Sequence, residues 1–273
     1  MLALVALPRP AVAVSASKAL VPLEPLVQAC QDARQRGDIP TLREQQRALL
    51  RARPAPQPLA VVLANADALL VCGAPDSALV VLTRFSPAPG AEQQQWLLMQ
   101  WRAANASLDH RLAIKALRQL AAVSAVSLEQ LQLPVGAELK TQAAIDLLAG
   151  HLDALGLREQ AAQVLFASRT PGVATAQRLA QAVAWSASLP REQRLQWLER
   201  ALEQAAAAGA WGLAVALLDQ QLPLLDGQPG PALQKVQQRR QRLAQRLDDA
   251  AALNPRAVRS PRDAGGHAAS RQP

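Results

Sequence analysis

Few residues in this chain are of a type that could do chemistry, and their spacing limits what they can do. The three histidines stand apart at 110, 151 and 267. Asp146 and Asp153 lie five before and two after His151, off the i±4 positions that bring ligands onto one helical face, so no metal site is expected there. Cys30 and Cys72 show no metal or redox spacing. They read as two lone thiols buried as small hydrophobes, and so few cysteines suit a reducing, cytoplasmic setting. There is no phosphate loop, no paired-glycine fingerprint after a strand, no G-x-S-x-G and no H-E-x-x-H. The expectation is a non-enzymatic chain without catalytic residues, cofactor or metal. What remains is arginine. Arg43, Arg47 and Arg51 recur at four-residue spacing and share a helical face, with Arg34, Arg36 and Arg53 close by. Such a stripe is either a solvated face or a contact surface for phosphates or an acidic partner.

The elements that must position these residues are helices. Half of the 273 residues are apolar, 18 % are charged and 3 % aromatic, a composition that can bury a sizeable core. Ala, Leu, Gln, Arg and Glu are strong helix formers, and no alternating strand pattern bounded by hairpin turns is found. The formal charge is +8, but residues 254–273 hold a net +3 and residues 1–21 a net +2, which leaves +3 for the rest. That is too mild a field to steer a polyanion by itself. The apolar run from Leu2 to Leu7 is broken by Pro8, Arg9 and Pro10 and follows no charge, so residues 1–21 read as a loose arm rather than a cleaved signal. No stretch approaches the roughly 18 apolar residues of a membrane span, and the chain is expected to be soluble.

Residues 57–90 show the building unit. Ala60, Leu63, Ala66, Leu69 and Leu70 make an apolar stripe, and Gly73 stands where a helix end needs a left-handed residue. Pro75 and Asp76 then open a second helix through Ala78, Val81, Leu82 and Phe85, stopped by Pro87, Pro89 and Gly90. Four further copies follow the same pattern, with turns at Gly37, Leu108, Gly156 and Gly209 beside Gly73, spaced 36, 35, 48 and 53 residues apart. Eleven before each turn stand Leu26, Val62, Leu97, Ile145 and Leu198; four before it, Ala33, Leu69, Ala104, Leu152 and Ala205. Five after it come Leu42, Ala78, Ala113, Ala161 and Ala214; nine after it, Gln46, Leu82, Leu117, Leu165 and Leu218.

The Gly73 to Ala78 run, GAPDSA, with Ala66 seven before the glycine and Leu82 nine after it, resembles the core signature of a tetratricopeptide repeat, and the first two spacings fit that family's period of about 34. Two of the five copies depart from it, carrying Trp101 and Leu202 where the family has a small residue, and the last two spacings leave room for an extra helix each. The resemblance implies an all-α fold, a right-handed α-solenoid of about five helical hairpins over residues 22–253, capped by a C-terminal helix. It also implies a concave groove lined by first helices that holds an unknown protein or peptide. Its residues would be those six and three before the turns: Gln31, Arg34, Asp67, Leu70, Arg102, Asn105, Gly150, Asp153, Glu203 and Ala206. The Lys and Asn set of chaperone-binding members is missing.

In the rest of the chain, at least one of Trp96 and Trp101 is expected in the core, His110 is read as a lone surface residue, and Trp197 and Trp211 as core. Residues 124–135 read as a linker with a helical turn at Ser127 to Gln132 and a stop at Pro134, and residues 174–188 as an extra helix. The last helix has a basic side of Arg239, Arg240, Arg242 and Arg246, and residues 254–273 read as a disordered basic tail. The functional expectation is a protein-interaction scaffold; the alternative is non-specific nucleic-acid binding through the basic helix faces.

Overall fold

Five left-handed residues punctuate the chain at the expected positions. In the computed structural model φ is 69° at Gly37, 68° at Gly73, 60° at Leu108, 74° at Gly156 and 68° at Gly209. The same two hydrogen bonds close every turn. The turn residue's N–H reaches the carbonyl three before it (Arg34, Leu70, Asn105, Asp153, Ala206), and the following N–H reaches Ala33, Leu69, Ala104, Leu152 or Ala205. This arrangement satisfies carbonyls that a helix end would otherwise orphan. Leu108 adopts it with a side chain in place of glycine, at a cost of about 1–2 kcal/mol.

The structure describes residues 22–136, 140–186, 188–226 and 230–253, so the arm at 1–21, the tail at 254–273 and His267 lie outside the described residues. The chain divides after Asp109 into two compact units. The first holds α1 Glu24–Arg36, α2 Ile39–Arg51, α3 Leu59–Val71, α4 Pro75–Leu82 and α5 Ala91–Ala106. The second holds α6 His110–Val123, β1 Gln132–Val135, β2 Lys140–Ala143, α7 Ala144–Ala154, α8 Arg158–Phe166, α9 Val173–Trp185, α10 Arg191–Ala207, α11 Trp211–Leu225 and α12 Pro231–Leu253. Within each unit helices pack mainly on their neighbours in sequence, which is compatible with a helical-repeat fold.

The periodic positions form the interior. Those seven before the turns, Cys30, Ala66, Trp101, Ala149 and Leu202, are all buried, as are the five at minus four. The core of the first unit gathers Leu49, Val62, Leu69, Val81 and Leu82; that of the second gathers Leu179, Leu198, Leu202, Leu217 and Leu218. Gln46, the polar exception at plus nine, donates to the Cys72 carbonyl at 2.9 Å, so it caps a neighbouring helix end where leucine would only pack.

Several expectations need correction. The end of the linker is a strand, β1, which pairs antiparallel with β2 just beyond it, Gln132 with Ala143 and Val135 with Lys140. Pro134 therefore lies in a strand, and strands of four residues are too short to show alternation. Trp211 is 43 % exposed and not core. Trp101 is the buried tryptophan of its pair, while Trp96 is half-buried and donates to the Leu82 carbonyl at 3.1 Å. Trp197 stacks on Phe166 with ring centroids 4.4 Å apart. Cys30 and Cys72 are not lone thiols: α1 packs on α3 so that their Cα atoms are 5.7 Å apart, joined as a disulfide. Two helix turns that carry no redox spacing in sequence are thereby clipped together.

Candidate binding clefts

In the first unit the first helices of successive pairs lie side by side. Asp67 on α3 and Arg102 on α5 form an ion pair at 3.0 Å, which puts two of the expected groove residues in contact. Gln31 and Arg34 on α1, Leu70 on α3 and Asn105 on α5 are all exposed or half-buried. Arg34 reaches across towards Gly73, where an added Cβ would stand 3.9 Å from its Nη1. A cleft of about 390 Å³ opens between α1 and α3, floored by Leu23, Val27, Ala68 and Val71 and edged by Glu24 and Asp67. On α2, Arg43, Arg47 and Arg51 are all exposed and hold no ion pair among the described residues. Arg84 does the structural work at the end of that helix, donating to the carbonyls of Leu50 at 2.9 Å and Arg53 at 2.8 Å.

The second unit is organised around Arg178, which is nine-tenths buried on α9. Its guanidinium grips Asp146 of α7 in bidentate fashion at 2.7 and 2.8 Å, and its Nη1 faces Glu129 at 3.5 Å and the Ser168 hydroxyl at 3.4 Å. The bonds to Asp146 outweigh burial and hold the guanidinium above its usual range. Glu129, from the turn after α6, clamps the loop between α8 and α9. It accepts from the Ser168 hydroxyl, the Arg169 N–H at 2.9 Å, and the Thr170 N–H and hydroxyl at 3.1 and 3.0 Å. Burial alone would push its carboxyl up, but these donors prevail and hold it below the ordinary range.

Two hollows flank this network. One, of about 770 Å³, is lined by apolar Leu128, Ile145, Leu148 and Val164 with Glu129 and Arg169 at its polar side. The other, of about 290 Å³, lies between α7 and α9 and is lined by Gly150, Leu165, Gln177, Gln181 and Trp185 beside the Arg178–Asp146 pair. Gly150 is the position six before the Gly156 turn, equivalent to Asp67 in the first unit, so the same repeat position borders a cleft in each. Asp153 is half-buried and paired with Arg158 at 2.9 Å, and does not line either hollow. Glu203 lies exposed on α10. That helix is linked to α8 by the Phe166–Trp197 stack and to α12 by Glu199–Arg239 at 2.7 Å, whereas α7 is linked to α9. The inserted α9 thus takes the place beside α7, and Glu203 falls outside the α7–α9 cleft. On α12, Arg239 and Arg240 are bound to Glu199 and Asp219, leaving Arg242 and Arg246 exposed.

His110 and His151, apart in sequence, meet where α6 packs on α7, Nδ1 to Nδ1 at 3.0 Å. His151 is 6 % exposed; burial, reinforced by His110, pushes its imidazole down to about 4. Among the described residues no group of three or more His, Cys, Asp or Glu is placed to hold a metal ion. Asn65 on α3 is fully buried with both amide atoms unpartnered. Among the described residues no helix is long and apolar enough to cross a membrane. No protein-family model matches the chain, and no curated protein or solved structure matches it either.

Proposed function

We propose that the protein is a non-enzymatic scaffold of the tetratricopeptide-like kind, and that it holds a peptide segment of a partner protein in the cleft between α7 and α9. The observation that carries this reading is the composition of that cleft. Gly150 opens its floor to close approach, the half-buried Trp185 ring offers an apolar anchor, and the exposed Gln177 and Gln181 amides can both donate to and accept from a peptide backbone. The wall is preorganised, because Arg178 fixes α9 to α7 before any ligand arrives. Asp67, Arg102, Gln31, Arg34, Leu70 and Asn105 border a second surface on the first unit. Cys30 and Cys72, with Cα atoms 5.7 Å apart, are within disulfide reach, and a bridge there would suit an oxidising compartment better than the reducing cytoplasm suggested by the cysteine count.

The exposed stripe of Arg43, Arg47 and Arg51, which holds no ion pair among the described residues, supports a second reading, phosphate contact with nucleic acid. Affinity capture with and without nuclease separates the two, comparing the wild type with an Arg43, Arg47, Arg51→Glu triple variant. A discrete protein partner retained after nuclease and by the triple variant supports the scaffold. Nucleic acid recovered by the wild type and lost by the variant overturns it.

A further inference from the structure

Gln177, Gln181 and Trp185 follow one another at four-residue intervals on α9, so they line one face of that helix at steps of about 6 Å along its axis. Both glutamines are exposed, and neither amide holds a hydrogen bond among the described residues. A helical partner has spent its backbone N–H and C=O groups on itself and offers such amides little. An extended chain offers free groups along one edge at every second residue, a repeat of about 6.6–6.8 Å. Two amides about 6 Å apart therefore fall opposite alternate residues of an extended chain. Trp185, about 12 Å beyond Gln177, falls near the residue four positions further along it, about 13 Å away. The other side of the cleft leaves room for side chains: a Cβ added at Gly150 of α7 would meet nothing within 4 Å, and buried Leu165 of α8 lines it with apolar surface. Asp146 and Arg178 are the charged residues of the lining, and they are bound to each other by two bonds of 2.7 and 2.8 Å. A charged side chain entering here would lose its water and meet no free counter-charge. Resting on the peptide reading above, we infer that the occupant of the α7–α9 cleft is an extended segment of the partner that runs along α9, paired through its backbone with Gln177 and Gln181, and that its alternate, cleft-facing side chains are uncharged and apolar.

The test selects peptides on the full chain from a displayed library of random dodecapeptides. The enriched peptides are synthesised and their Kd is read by fluorescence anisotropy against the wild type, Gly150→Arg, and Gln177→Ala with Gln181→Ala. Both glutamines are exposed and alanine favours a helix, so the double variant keeps the fold, which circular dichroism checks. Peptides that Gly150→Arg no longer binds should share apolar residues at every second position. Losing both amides should weaken them about tenfold. N-methylation of the peptide backbone should cost affinity at alternate residues and be tolerated between them, and aspartate or lysine at a cleft-facing position should cost at least about tenfold. Gly150-dependent peptides whose apolar residues recur three and four apart, that require a charged residue in the cleft, or that ignore the loss of both glutamines overturn the inference and leave the peptide reading standing. A library that yields no peptide sensitive to Gly150→Arg overturns both.

Discussion

Replacing Arg178 by methionine is the sharpest structural perturbation the second unit allows. Arg178 and the Glu129 side chain are both 9 % exposed, and Asp146 is 30 % exposed, so the variant leaves one buried and one half-buried carboxylate facing each other's neighbourhood without a cation. Glu129 keeps its donors from Ser168, Arg169 and Thr170, whereas Asp146 loses both of its short bonds. Breaking a buried pair in this way costs about 3–5 kcal/mol, a large part of the roughly 5–15 kcal/mol of a typical domain. Urea denaturation at pH 7 reads the cost as a lower midpoint with an unchanged slope. A loss under about 1 kcal/mol would place the network in effectively aqueous surroundings and refute the claim that it preorganises the cleft. The pH dependence adds a sign. Because Glu129 is held below the ordinary 4.5, its contribution is present above that value and is lost as pH falls through its lower folded value. Glu129→Gln should therefore be less stable at pH 7 and show a flatter acid limb.

Three further outcomes follow from the interior. His151, lowered to about 4 from an ordinary 6.5, stabilises the neutral fold above 6.5, and up to roughly 3 kcal/mol is lost as pH falls from 6.5 to 4; thermal melts should flatten over this window in His151→Leu, and an unchanged slope would contradict the burial argument. Reducing the Cys30–Cys72 bridge, which closes a loop of 42 residues, should cost about 4 kcal/mol, read by melting with and without reductant; alkylation of both thiols in unreduced, denatured protein would show that the bridge does not form. Asn65→Leu removes two unpartnered polar atoms from a fully buried site and should raise stability by about 1–3 kcal/mol, whereas a loss would reveal a partner for the amide.

The turns were legible in the sequence because their requirement is local. A left-handed residue and small or apolar neighbours at fixed offsets repeat the same way five times, and Leu108 could be found by offset although its type conceals the conformation. The disulfide was not legible, since 42 residues separate two cysteines whose contact depends on how α1 settles on α3. Glu129, Asp146 and Arg178 look like ordinary surface charges in sequence. They converge only because α9 folds back beside α7, and that same insertion removes Glu203 from the cleft that Gly150 borders. The β1–β2 ribbon escaped because each strand sends a single residue inward, Leu133 and Ala143.

The most direct test of the scaffold account is partner capture by Gly150→Arg. The helical glycine has no heavy atom within 4 Å of an added Cβ and no left-handed φ, so the change should keep the melting temperature or raise stability by up to about 1 kcal/mol. The long side chain would nevertheless fill the α7–α9 cleft. The account predicts a fully folded protein that no longer retains the partner held by the wild type. A folded Gly150→Arg variant that captures the same partner undiminished would contradict it.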